Sequence, residues 1–124
     1  MTAQLFAPEA YWKTPEGERR RWRCGPNRGL LEVLVPETIY GLRVSPACSI
    51  HDFMYSVGET IADKDEADRV FLNNMIRLIE DRKKFRVLVV LRLKRAFKYY
   101  EFVKHFGGPF YWVGKNKPSE VGVV

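Results

Sequence analysis

Four residues with chemically useful side chains, Cys48, His51, Asp52 and Tyr55, are spaced i, i+3, i+4 and i+7. On a helix they lie along one side, the side that should face a core, and it is polar. Further along, Asp68 shares a stripe with Phe71, Leu72, Met75 and Ile79, which places a carboxylate where an apolar residue is expected. A neutral imidazole that takes a proton with one ring nitrogen needs the other nitrogen held by an acceptor. A carboxylate serves best, because it also stabilises the imidazolium that forms. Asp68, facing inward from a neighbouring helix, is the candidate orienter of His51. Asp52 is less suited to that task, since adjacent helical residues diverge by about 100°, and it is available for metal binding. Calcium takes six to eight oxygens, and backbone carbonyls of the turn Cys24, Gly25, Pro26, Asn27, Arg28, Gly29 could add to Asp52.

These residues need helices to present them. Ser45 offers a side-chain cap, Pro46 sits at the first helical position and Gly58 is the natural stop. Asp63 is expected to cap a second helix over about Lys64 to Asp81, acidic in its first turn (Asp65, Glu66) and basic in its last (Arg82, Lys83, Lys84). A third helix is expected over Phe85 to Phe106, burying Val89, Leu93, Ala96, Phe97, Tyr100 and Val103 and ending at Gly107 and Gly108. Before these helices, Leu30 to Val35 reads as a short strand or helical turn, and Thr38 to Val44 as extended. Residues 1–22 read as an irregular arm with one or two short helical turns, 23–106 as the core and 107–124 as a loosely patterned tail. The whole is a single, mainly α domain.

The 124 residues suffice for one domain with a real core. A composition of 46% hydrophobic and 29% charged residues argues against wholesale disorder. Net charge +6 and a pI near 9.5 favour an anionic partner. Between Arg82 and His105, nine Lys and Arg residues stand against the single acid Glu101. The first ten residues lack a secretory pattern, and the longest unbroken apolar run in the third helix, Val87 to Leu91, is far short of the roughly 18 residues of a membrane span. Synthesis in the cytoplasm is therefore expected, with virion association or a non-classical export route left open. Two cysteines, Cys24 and Cys48, form either one bridge or two buried thiols.

Cys-x-x-His-Asp-x-x-Tyr, standing as Cys48, His51, Asp52 and Tyr55, resembles the active-site helix of the phospholipase A2 superfamily. Ala67-Asp68-Arg69 resembles the motif that supplies that family's aspartate to the histidine, and Gly25-Pro26-Asn27 a shortened calcium loop of the parvovirus capsid type. The resemblance covers about Arg23 to Met75. Asn27 and Arg28 stand where the family's loop usually has glycines, and the additional cysteines of the secreted animal enzymes are absent, which places the chain nearer the minimal bacterial, fungal and viral forms.

The resemblance implies a three-helix fold with an antiparallel active-site helix pair. It also implies hydrolysis of a phospholipid acyl ester by a water that His51 activates, with Asp68 orienting His51 and Tyr55 donating to Asp68. Calcium would be held by Asp52 and the carbonyls of Arg23, Gly25 and Asn27, the Gly25 amide would face the oxyanion, and Cys24 would pair with Cys48. The partner it implies is an anionic phospholipid membrane surface. Two other readings compete. One is an inactive phospholipase-like component of a phage or secretion apparatus. The other is a basic nucleic-acid-binding module, disfavoured because the chain carries no helix-turn-helix spacing, zinc ligands or RNA-binding signature.

Overall fold

The computed structural model describes residues 4–15, 38–112 and 115. Its elements are α1 (Glu9–Lys13), a hairpin of β1 (Thr38–Ile39) and β2 (Leu42–Arg43), three long helices α2 (Ser45–Val57), α3 (Ile61–Asp81) and α4 (Arg86–Phe106), and the short α5 (Gly108–Tyr111). The chain is mainly helical, as its periodicities imply. Leu30 to Val35, the loop from Arg23 to Gly29 and most of the tail lie outside the described residues.

Helix α2 starts and stops where Pro46 and Gly58 predict, but Ser45 does not cap it. The preceding residue is Val44, with no side-chain cap, and Ser45 Oγ instead accepts from Arg43 Nε at 2.7 Å. Helix α3 begins three residues before the expected start, because Thr60 takes the cap position. Its hydroxyl accepts from the Asp63 amide at 3.0 Å, while the Asp63 carboxylate reaches back to the amides of Glu59 and Thr60. Asp63 is thus the reciprocal partner in a capping box.

Helix α3 is the middle layer, packed on α2 along one side and α4 along the other. The His51 ring lies 4.7 Å from Phe71, whereas Tyr55, one turn further along α2, faces Lys64, two turns earlier on α3. The two helices therefore run antiparallel, as a three-residue link dictates. The main core joins Val44, Ala47 and Cys48 to Phe71, Met75 and Ile79, and to Ala96, Tyr99 and Val103. This turns α4 from its expected orientation: Phe97 is exposed and Tyr100 only half-buried, while Arg92 and Tyr99 are buried. Arg92 explains the rotation. Its guanidinium donates to the carbonyls of Ile39 and Tyr40, at 3.1 and 2.6 Å, and so anchors the tip of the hairpin, where Tyr40 and Gly41 both have positive φ.

The amino-terminal arm is tied down by Asn74, fully buried, which exchanges two 2.8 Å hydrogen bonds with the backbone of Phe6. Past α4, Tyr111 is fully buried against Tyr55 and donates to the Thr60 carbonyl at 2.6 Å, which its place in the tail does not imply.

Candidate active site

His51, Tyr55 and Asp68 meet at the α2–α3 contact. His51 and Asp68 are each 1% exposed and Tyr55 8%, so their polar atoms must satisfy one another. Asp68 Oδ1 lies 2.8 Å from His51 Nε2 and accepts from the Tyr55 hydroxyl at 2.7 Å. Its other oxygen, Oδ2, accepts from Lys64 Nζ at 2.7 Å. Every partner of this carboxylate is a donor, which fixes Asp68 as the ionised, accepting member and His51 Nε2 as the protonated nitrogen. Nδ1 is left with the lone pair; it is buried and makes no hydrogen bond among the described residues, so an ordered water is the partner that would satisfy it.

Charge follows from these contacts. Burial raises the proton affinity of Asp68, but hydrogen bonds and charge from His51, then Lys64 and Tyr55, outweigh it and hold the group below the usual carboxylate range. For His51, burial dominates and pushes the imidazole below its ordinary value of 6.5; the Asp68 hydrogen bond and charge oppose this and the Lys64 charge reinforces it. The resting pair is a neutral imidazole on a carboxylate, the state a general base requires. The Tyr55 phenol is driven far upward by burial first and then by Asp68, so it remains a donor.

The surroundings lock this geometry. The Tyr55 ring is packed against His51 at 4.2 Å and Tyr111 at 5.0 Å. Gly107 presses on it from α4: a Cβ there would lie 2.5 Å from the Tyr55 hydroxyl and closer still to the Val103 carbonyl. Gly107 is right-handed (φ −76°), so glycine serves here for close approach and not for positive φ. At the end of α2, Lys115 Nζ donates to the Tyr55 carbonyl at 2.6 Å.

Of the residues singled out in the sequence, the structure therefore brings His51, Asp68 and Tyr55 together. Asp52 sits half-buried beside His51 on α2, and a carboxylate oxygen is the kind of donor a hard cation such as calcium takes. The other expected ligands, Arg23, Gly25 and Asn27, and with them the Gly25 amide, lie outside the described residues. Cys48 is fully buried and disulfide-bonded, which removes the buried-thiol alternative; Cys24 lies outside the described residues. Two nearby-helix arginines hold partners other than Asp68: Arg77 donates to the Gln4 carbonyl and Arg92 to the hairpin. The cation is Lys64, one helical turn before Asp68, and the i, i+4 spacing was the signal that could have found it. Comparison with protein families, curated proteins and solved structures finds no match.

Proposed function

We propose that the chain is a calcium-dependent esterase of the phospholipase A2 type, hydrolysing an acyl ester of a phospholipid. The observation that carries this reading is the buried network in which Asp68 holds His51 by Nε2, leaving Nδ1 as the basic atom. A water at Nδ1 gives up a proton to it as its oxygen attacks the ester carbonyl. Asp68 stays ionised and stabilises the imidazolium without taking the proton. The same Nδ1 proton then passes to the departing glycerol oxygen as the tetrahedral species collapses, which returns His51 to its neutral form. Tyr55 and the helix packing around it keep Asp68 in place throughout, so the step needs little reorganisation. Asp52 with the carbonyls of Arg23, Gly25 and Asn27 would hold calcium, which when bound would supply Lewis-acid stabilisation of the developing oxyanion.

The exposed side of α4 fits an anionic lipid surface. Val87, Val90 and Phe97 are exposed among Lys94 and Lys98, and apolar side chains interspersed with cations suit headgroups over acyl chains better than the phosphates of a nucleic acid. No helix among the described residues is long and apolar enough to cross a membrane.

The test is fatty-acid release from phosphatidylglycerol vesicles, with calcium and with a chelator. Release that requires calcium and is lost in Asp52→Asn is expected. Undiminished release in chelator, or by Asp52→Asn, overturns the proposed mechanism.

A further inference from the structure

Lys64 has a position that neither helix formation nor solubility explains. It is 8% exposed, although a lysine stem is long enough to carry its ammonium to water. All three donors of the ammonium are used: Asp68 Oδ2 at 2.7 Å, the Val103 carbonyl at 3.1 Å and the Lys104 carbonyl at 3.3 Å. Its order on α3, cation before acid, is the less favourable one for an i, i+4 helix pair. A buried ion pair also stabilises a fold no better than apolar residues of the same volume. The ion pair alone thus gives no reason for a lysine at this site.

Its partners supply one. Val103 and Lys104 belong to the last turn of α4, whose carbonyls carry the negative end of the helix dipole; that of Val103 also accepts from the Gly107 amide at 2.9 Å. Lys64 therefore joins three things: α3 through its own backbone, the carboxyl-terminal end of α4 through two carbonyls, and the second oxygen of Asp68. His51 and Tyr55 both bind the first oxygen, so without Lys64 the carboxylate is gripped on one edge only and is free to pivot about Oδ1.

We infer that Lys64 is a positioning residue of the proposed hydrolytic site, fixing Asp68 from its second oxygen to the end of α4. This rests on reading His51 and Asp68 as base and orienter. The site becomes a property of three helices, and the end of α4 is part of it.

The experiment uses the full chain and two readouts. In the first, the His51 Nε2 proton is observed by NMR at one neutral pH. In Lys64→Met, which keeps the stem and removes charge and donors, this resonance is expected to move downfield as Asp68 loses its competing partner. An unmoved resonance in a folded variant overturns the inference. Should Lys64→Met fail to fold, the double variant Lys64→Met/Asp68→Asn leaves neither charge buried alone and is expected to fold more stably than either single variant; no such recovery overturns the pairing. In the second readout, fatty-acid release by Lys64→Met is expected to lose about tenfold or more in kcat, with KM changed by less than about twofold. Unchanged kcat overturns the inference. Absence of hydrolysis in the wild-type chain overturns the esterase reading instead, and the His51 resonance then still decides whether Lys64 sets the dyad.

Discussion

Replacing Gly107 by alanine tests whether the end of α4 governs the dyad, and the structure sets the size of the effect. The added methyl would lie 2.5 Å from the Tyr55 hydroxyl, where ordinary contact begins near 3.4 Å, so the hydroxyl must give by about 0.9 Å. Toward Asp68 there is no room, since that hydrogen bond is already 2.7 Å long. Away from Asp68, the same displacement stretches it to roughly 3.6 Å, beyond hydrogen-bond reach. The ring has no easy alternative, being packed between His51 and Tyr111. Overpacking costs about 1–3 kcal/mol, and losing a hydrogen bond to a charged acceptor a further ~1.5–3 kcal/mol. Gly107→Ala is therefore expected to destabilise the fold by about 2.5–6 kcal/mol, a large part of the roughly 5–15 kcal/mol typical of a domain. Urea unfolding followed by tryptophan fluorescence measures it. Tyr55→Phe in the alanine background removes one of the two atoms in conflict, the Val103 carbonyl being the other, so the double variant should lose less than the two single variants combined. A Gly107→Ala protein as stable as wild type would refute the reasoning, and strictly additive losses would refute the assignment of the conflict to the Tyr55 hydroxyl.

Two further outcomes are expected. The folded-state proton affinity of His51 is lowered from 6.5 and that of Asp68 from 3.8, so the unfolded chain binds more protons than the folded one and stability falls as pH drops. The loss begins below about pH 6.5 and continues into the carboxylate range. The urea midpoint measured from pH 7.5 downward should therefore fall, with a flatter upper part in His51→Gln; a midpoint that rises on acidification contradicts this. Asn74→Leu removes both hydrogen bonds to Phe6. It should cost ~1–3 kcal/mol and abolish hydrogen-exchange protection of the Phe6 amide, which retained protection would contradict.

The dyad was legible in the sequence because it follows helical period: Cys48, His51 and Tyr55 are buried where the stripe on α2 places them, and Asp68, Phe71, Met75 and Ile79 are buried where the stripe on α3 does. Side-chain chemistry that overrides period was not. Arg92 turns α4 inward to hold the hairpin, and this moves Phe97 to the surface. Lys64 was read as a helix boundary, since lysine is ordinarily a solvated residue; its burial depends on carbonyls some forty positions away on α4, which no local pattern reports. Gly107 was read as a helix stop, and its closer constraint, the Tyr55 hydroxyl, is equally non-local. The start of α3 was displaced because Thr60 and Asp63 are both capping residues, and only the reciprocal bonds show which of them is the cap.

In the proposed mechanism Nδ1 of His51 takes the proton of the attacking water. Fatty-acid release at saturating calcium by His51→Gln, shown by circular dichroism to retain the wild-type helical content, tests it most directly. Loss of general-base catalysis should lower the rate by about 10²–10⁴-fold. A folded His51→Gln chain that hydrolyses phospholipid at the wild-type rate would contradict the account.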